Sequence, residues 1–167
     1  MPHIWSVYIC LVLGLWCAFE GGVFKAFSEF VMKGLLNAKP ASGIESMQQI
    51  NKSVIRTEFV AALFAITIFS IAFAIYGMFA LDGTASLIIN AAALVYLCSV
   101  FLMTLFGNVP MNNRLESLDL TAPESIEYWK YYGRAWTRLN HVRSFGSIMA
   151  AGLYIIAALS LKTAGQA

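Results

Sequence analysis

Apolar residues in this chain gather in four long runs instead of alternating with polar ones. The first extends from Ile4 to Phe19 and continues through Gly21, Gly22 and Val23; the others cover Phe59 to Ala80, Ala85 to Phe106, and about Phe145 to Leu161. A helix needs ~20 mostly apolar residues to cross a hydrocarbon core ~30 Å thick. Inside lipid its backbone groups must satisfy one another, which helices do by themselves. The pattern therefore predicts an all-α fold, a bundle of four transmembrane helices forming one membrane domain over residues 1–167. No hydrophilic segment between the runs is long enough to fold separately.

The first and last spans are predicted to carry cytoplasmic helical extensions. Beyond Gly22, Phe24, Phe27 and Val31 share a face, and Lys25–Glu29 and Glu29–Lys33 have the i,i+4 spacing of ion pairs. Pro40 ends that helix. A further helix is expected from Ser42 or Gly43, with Met47, Asn51, Val54 and Glu58 on one stripe leading into the second span. Thr121-Ala122-Pro123-Glu124 has the chemistry of a helix start, and only tolerable glycines interrupt the chain from there to Leu161. Such a helix is roughly 57 Å long, about half of it outside the lipid. Pro110, by contrast, biases Val109 away from helix and predicts a break near Gly107. Asn108 and Asn112 would then either satisfy the freed backbone groups or present their amides to a ligand.

Composition supports the membrane reading and narrows the function. Hydrophobic residues make up 59% of the chain and charged ones 12%, about half the charge of a soluble domain, and the mean hydropathy is +0.70. A net charge of +2 with no basic run argues against a nucleic-acid partner. Ten of the eleven Lys and Arg fall in the first and third connections, Lys25, Lys33, Lys39, Lys52 and Arg56 in one and Arg114, Lys130, Arg134, Arg138 and Arg143 in the other. By the positive-inside rule both connections are cytoplasmic and both termini face outward, at the inner membrane if the source is bacterial. No basic stretch precedes Ile4, so the first run reads as a retained span and not a cleaved signal. Cys10, Cys17 and Cys98 lie within spans with no metal or redox spacing and read as small apolar side chains.

Candidate chemistry lies on the last helix. Trp129, Tyr132, Trp136, Asn140, Arg143 and Ser147 fall on one stripe at ~100° per residue, which is either an interfacial aromatic belt or a face turned into the bundle. Glu20, ~24 Å along its helix, Glu58, Asn108, and Asn140 with Arg143 all reach the cytoplasmic ends of their spans. Amides and carboxylates at that depth are costly unless they point inward and pair. A polar pocket at the cytoplasmic end of the bundle is the expected result.

Four segments occur in order: Gly22-Val23-Phe24-Lys25-Ala26-Phe27-Ser28 with Phe30-Val31-Met32, then Gly43 to Asn51, then Asn108-Val109-Pro110-Met111-Asn112-Asn113, then Trp136-Thr137-Arg138-Leu139-Asn140-His141-Val142-Arg143-Ser144. Together they resemble the anthrone oxygenase-like family of small integral membrane proteins, N-V-P-x-N and W-T-x-x-N-H-V-R being the most specific parts. The resemblance implies an oxygenase acting on an anthrone-like or other activated aromatic molecule. Anthrone oxidation begins with loss of a carbon-bound proton, and the resulting enolate can meet O2 directly, so the expectation is a base and an oxyanion site with no cofactor and no metal. His141 has the intrinsic pKa of a base, with Glu20 or Glu58 as the alternative if it points away. Arg143 and the amides of Asn108, Asn112 and Asn140 would hold the oxyanion, and Trp136 and Tyr132 would wall the substrate. A haem is disfavoured because His3 and His141, the two histidines, fall at opposite faces. The non-enzymatic alternative is a membrane subunit or binding module for a lipid, quinone or aromatic ligand. Small-residue surfaces such as Ala91-Ala92-Ala93 leave a homo-oligomer or a membrane partner subunit open.

Overall fold

The computed structural model describes residues 4–120 and 122–164, and in these every regular element is helical. The helices are α1 (Ile4–Asn37), α2 (Pro40–Val54), α3 (Glu58–Ala80), α4 (Gly83–Glu116) and α5 (Pro123–Ala164). All but α2 are long and apolar enough to cross a membrane, which makes this an integral membrane protein. Thr121, expected to cap α5, and His3 lie outside the described residues.

Local chemistry sets the helix ends. Pro40 holds Lys39 extended (φ −55°, ψ 136°) and occupies the first turn of α2, where its missing N–H costs nothing. The helix thus begins slightly before the expected Ser42. Thr57 donates its hydroxyl to the Val54 carbonyl (2.7 Å) and is itself extended (φ −98°, ψ 159°), so α2 and α3 are separate helices. The stripe from Met47 to Glu58 is broken there, and Glu58 is exposed. Leu81 and Asp82 alone join α3 to α4, and Gly83 takes the positive φ (+73°) that this tight reversal needs.

α5 packs chiefly on α1 along the bundle and then on α4, while α3 lies against α4. Two hydrophobic cores result. One lies within the spans, around Cys17, Ile89, Tyr96 and Tyr154. The other lies beyond them, where α2 and the end of α4 cover the first half of α5 through Ile44, Met47, Leu115, Trp129 and Tyr132. Gly43 lets α2 cross α1 closely: a Cβ there would stand 2.5 Å from the Leu35 carbonyl oxygen and 3.0 Å from the Trp129 ring.

Two expectations change. The third span also extends past the lipid, so three of the four long helices do so, and it does not break near Gly107. Asn108 (φ −72°, ψ −41°) and Val109 (φ −62°, ψ −46°) are helical. The chain accommodates Pro110 by winding Thr104–Asn108 as a π turn, with the Val109 N–H reaching back to the Thr104 carbonyl; another π turn, Leu97–Leu102, precedes it. Pro110 then falls in the first turn of the following α-helical stretch, where a proline is tolerated. A third π turn, Phe27–Val31, interrupts α1. Lys25 pairs with Glu29 as expected, whereas Lys33, beyond the π turn, pairs with no carboxylate among the described residues.

Candidate functional site

The stripe on α5 turns inward. Trp129, Tyr132, Trp136, Asn140, Arg143 and Ser147 are all buried, which rules out an aromatic belt facing lipid. Ser147 donates to the Cys17 carbonyl (2.7 Å) and Ser144 to the Gly21 carbonyl (3.2 Å), pinning α5 to α1 in the lower half of the bundle.

One turn further toward the start of α5, five helices enclose a cavity of about 350 Å³. Its walls are mostly apolar, with Phe24 and Phe27 from α1, Met47 from α2, Phe59 and Leu63 from α3 and Phe101 from α4. Polar groups enter from α4 (Thr104, Asn108 and Asn112), from α5 (Asn140 and Arg143, beside the Trp136 ring) and from α2 (Asn51). A largely apolar hollow with a few converging polar groups is the usual form of a small-molecule site. The π turns contribute to this alignment. In an α-helix, residues four apart drift around the axis, and the wider π turn offsets that drift. Thr104, Asn108 and Asn112 therefore stay on the cavity side of α4.

Arg143 is the central group. It donates one guanidinium N–H to Asn140 Oδ1 and another to Thr104 Oγ1 (3.2 Å). Its Cζ lies 4.3 Å from the centre of the Phe24 ring and 5.5 Å from that of Trp136. Its Nε–H has no protein partner, and no ion pair among the described residues includes it. Glu20 acts on this cation electrostatically without an ion pair to it, so the guanidinium keeps a free donor, which favours an anionic oxygen beside it.

The amides are held firmly. Asn140 donates to the Phe24 carbonyl (2.6 Å) and Ser28 Oγ (2.7 Å) while it accepts from Arg143. Asn112 Oδ1 accepts from Tyr132 Oη (2.8 Å) and Trp136 Nε1 (2.9 Å). Asn108 donates to the Trp136 carbonyl (3.3 Å) and leaves its own Oδ1 unpaired although the residue is buried. Orphan donor and orphan acceptor thus occur on two residues that line the same cavity.

Of the expected site residues, Asn108, Asn112, Trp136, Asn140 and Arg143 line this cavity. Tyr132 stands behind the wall, stacked on Trp136 with ring centroids 6.1 Å apart, and orients Asn112. The three expected bases are elsewhere. Glu20 is fully buried deeper in the bundle, where Tyr96 donates to its Oε2. Glu58 is exposed at the start of α3. His141 is exposed on another side of α5, in a surface groove with Lys33, Arg134 and Arg138. The difference follows from helix rotation: one residue past Asn140 is ~100° around the axis. Sequence reasoning missed Thr104 as a partner of Arg143, although the spacing of Thr104, Asn108 and Asn112 is a readable polar stripe. It also missed Lys52 and Glu116, which join α2 to α4 at the cavity rim by an ion pair (2.6 Å). No group of three His, Cys, Asp or Glu among the described residues gathers into a metal site.

No curated protein and no solved structure matches the chain. The family model described as anthrone oxygenase matches residues 49–153, well over half the chain. That interval spans α3, α4, the α5 stripe and the polar groups of the cavity from Asn51 to Arg143. The match, together with four membrane-spanning helices around an amide- and arginine-lined hollow, identifies the chain as a member of the anthrone oxygenase family.

Proposed function

We propose that the cavity binds a planar, activated aromatic molecule of the anthrone type and stabilises its enolate for reaction with O2. The observation that carries this reading is Arg143: a buried guanidinium with an unpaired Nε–H on the wall of a largely apolar hollow that Asn108, an amide with an unpaired acceptor, also lines. An oxygen with developing negative charge is the natural counterpart of that donor. A hydroxyl next to it on the same ring system would satisfy Asn108 Oδ1. Phe24, Phe27 and Trp136 supply flat surfaces for the rings.

The reaction balances with O2 as the one co-reactant. A ring CH2 loses a proton to give an enolate, whose oxygen Arg143 holds. The enolate carbon gives its electrons to O2, forming a C–O bond and a peroxide anion. Protonation gives a hydroperoxide, which eliminates water and leaves a carbonyl. One oxygen atom ends in the product and the other in water. Glu116 bears the only carboxylate among the cavity-lining residues and is held at the rim by its ion pair with Lys52, so we assign it the first proton. The charge bias of the connections supports placing this end of the bundle on the cytoplasmic side.

A second reading is favoured by one observation, that the cavity-lining carboxylate is already paired and no histidine lines the wall. The same hollow would then hold an aromatic or quinone ligand without transforming it. O2 uptake by detergent-purified protein supplied with an anthrone separates the two. Uptake above the spontaneous rate that falls in Arg143→Ala supports the oxygenase; anthrone binding with no added uptake supports the binding module.

A further inference from the structure

We propose that the groove between the outer ends of α1 and α5, on a different side of α5 from the cavity, is a binding site for the headgroup of an anionic phospholipid. The groove has a volume of about 360 Å³ and is lined by Lys33 from α1 and by Arg134, Thr137, Arg138 and His141 from α5. It contains no acidic side chain, and none of the ion pairs among the described residues engages Lys33, Arg134 or Arg138. Three uncompensated cations with a histidine converge on one concavity. At its wall, Thr137 Oγ1 is buried with no hydrogen-bond partner in the protein, so a polar group remains for a ligand oxygen to satisfy.

Its place in the fold selects a lipid over a free anion. Arg134, Arg138, His141, Phe145 and Ile148 follow one another at i, i+4, i+7, i+11 and i+14, a single face of α5. Basic residues occupy its outer part. Phe145, 68% exposed, and Ile148, 50% exposed, begin the apolar part that faces the hydrocarbon. On α1, exposed Phe30 lies one turn from Lys33 on the side toward the membrane. The face therefore reads as headgroup contacts followed by acyl-chain contacts, matching an amphiphile with its phosphate at the boundary. Basic pockets between membrane helices at the lipid surface are suited to such headgroups.

The test uses the full chain in a neutral detergent, with bound lipid read by native mass spectrometry. Phosphatidylglycerol and phosphatidylcholine of the same acyl composition are added in parallel, and inorganic phosphate is added as competitor. The expected result is retention of phosphatidylglycerol at least ~10-fold over phosphatidylcholine, unaffected by equimolar phosphate. The preference should disappear in Lys33→Ala/Arg134→Ala/Arg138→Ala, with affinity falling about fivefold per charge removed. Because all three side chains are exposed, the variant keeps its helices. The charge-preserving Arg134→Lys/Arg138→Lys variant should retain most of the preference. Equal binding of the two lipids, an unaltered preference in the triple alanine variant, or displacement of the lipid by equimolar phosphate would each overturn the proposal.

Discussion

Asn140 joins α5 to α1 and to the site's cation, and its replacement by alanine is the most direct test of how the site is held. The side chain is fully buried and makes three bonds, donating to the Phe24 carbonyl and to Ser28 Oγ of α1 and accepting from Arg143 on its own helix. Alanine leaves all three partners in place and unanswered. Buried groups stranded in this way cost ~1–3 kcal/mol each in soluble proteins, whereas interhelical hydrogen bonds in membranes average about 0.6 kcal/mol. The site lies near the boundary, one bond is charge-assisted, and Ser28 can turn its hydroxyl elsewhere. A loss of about 3 kcal/mol is therefore expected, lowering the thermal midpoint by roughly 6–12 °C for a chain of this length. Unfolding in detergent is followed by tryptophan fluorescence, because Trp129 and Trp136 are buried in the same cluster. Ser28→Ala alone should cost about 1 kcal/mol or less, and the double variant should be little worse than Asn140→Ala, a coupling of about 1 kcal/mol. An Asn140→Ala midpoint within about 2 °C of the unaltered protein would refute the inference that this amide ties α5 to α1, as would strict additivity with Ser28→Ala.

Arg143→Ala should lower anthrone-dependent O2 uptake by ~10²–10³-fold, the usual effect of removing an oxyanion donor, and Arg143→Lys should recover only part of it because a single nitrogen cannot reproduce the planar fork that meets Asn140 and Thr104 from two separate nitrogens. Glu116→Gln should reduce uptake without weakening binding of a non-ionisable aromatic probe, whereas Glu58→Gln, exposed and away from the cavity, should leave uptake unchanged in the same assay. Gly43→Ala should destabilise the protein by about 1–3 kcal/mol, read as a lower thermal midpoint, since its Cβ would stand 2.5 Å from a backbone oxygen that cannot rotate away. Trp136→Phe removes one of the two donors to Asn112 while keeping a ring on the wall; a loss of about 1 kcal/mol in stability is expected.

The sequence carried the spans because lipid imposes one simple demand, some twenty apolar residues without charge, and α3 begins and ends within a residue or two of the run that predicts it. It carried the stripe on α5 but left its direction open between belt and bundle; an amide and an arginine at i+4 and i+7 from Trp136 weighed toward the inward face, since they are costly against lipid. Pro110 was misread for a definite reason. Proline forbids a particular backbone hydrogen bond, and sequence rules assume that the loss ends the helix; here the register shifts to i+5 instead, and the Val109 N–H finds Thr104. The shifted stretch packs against α5, a surrounding that a single helix does not reveal. Lys33, separated from Glu29 by π winding, and Glu58, separated from Asn51 by the bend at Thr57, were misplaced for the same kind of reason, a local change of phase.

These changes of phase and the cavity have a common structural basis. Phe27 on α1 and Phe101, Thr104, Leu105 and Asn108 on α4 belong to π turns, and all of them line the hollow. A π turn adds a residue to the helical circuit and widens it, so two straight helices that would pack tightly along α5 are locally out of step with it. The resulting mismatch is where the amides and Arg143 find room. His141, one residue from Asn140 in sequence, is rotated out of that room and into the basic groove with Lys33, Arg134 and Arg138. The segment Trp136 to Ser144 therefore serves two surfaces at once, Trp136, Asn140 and Arg143 on the cavity and Thr137, Arg138 and His141 on the groove. A substitution in this segment must be assigned to one surface or the other by its angle on the helix, because nearness along the chain does not distinguish them.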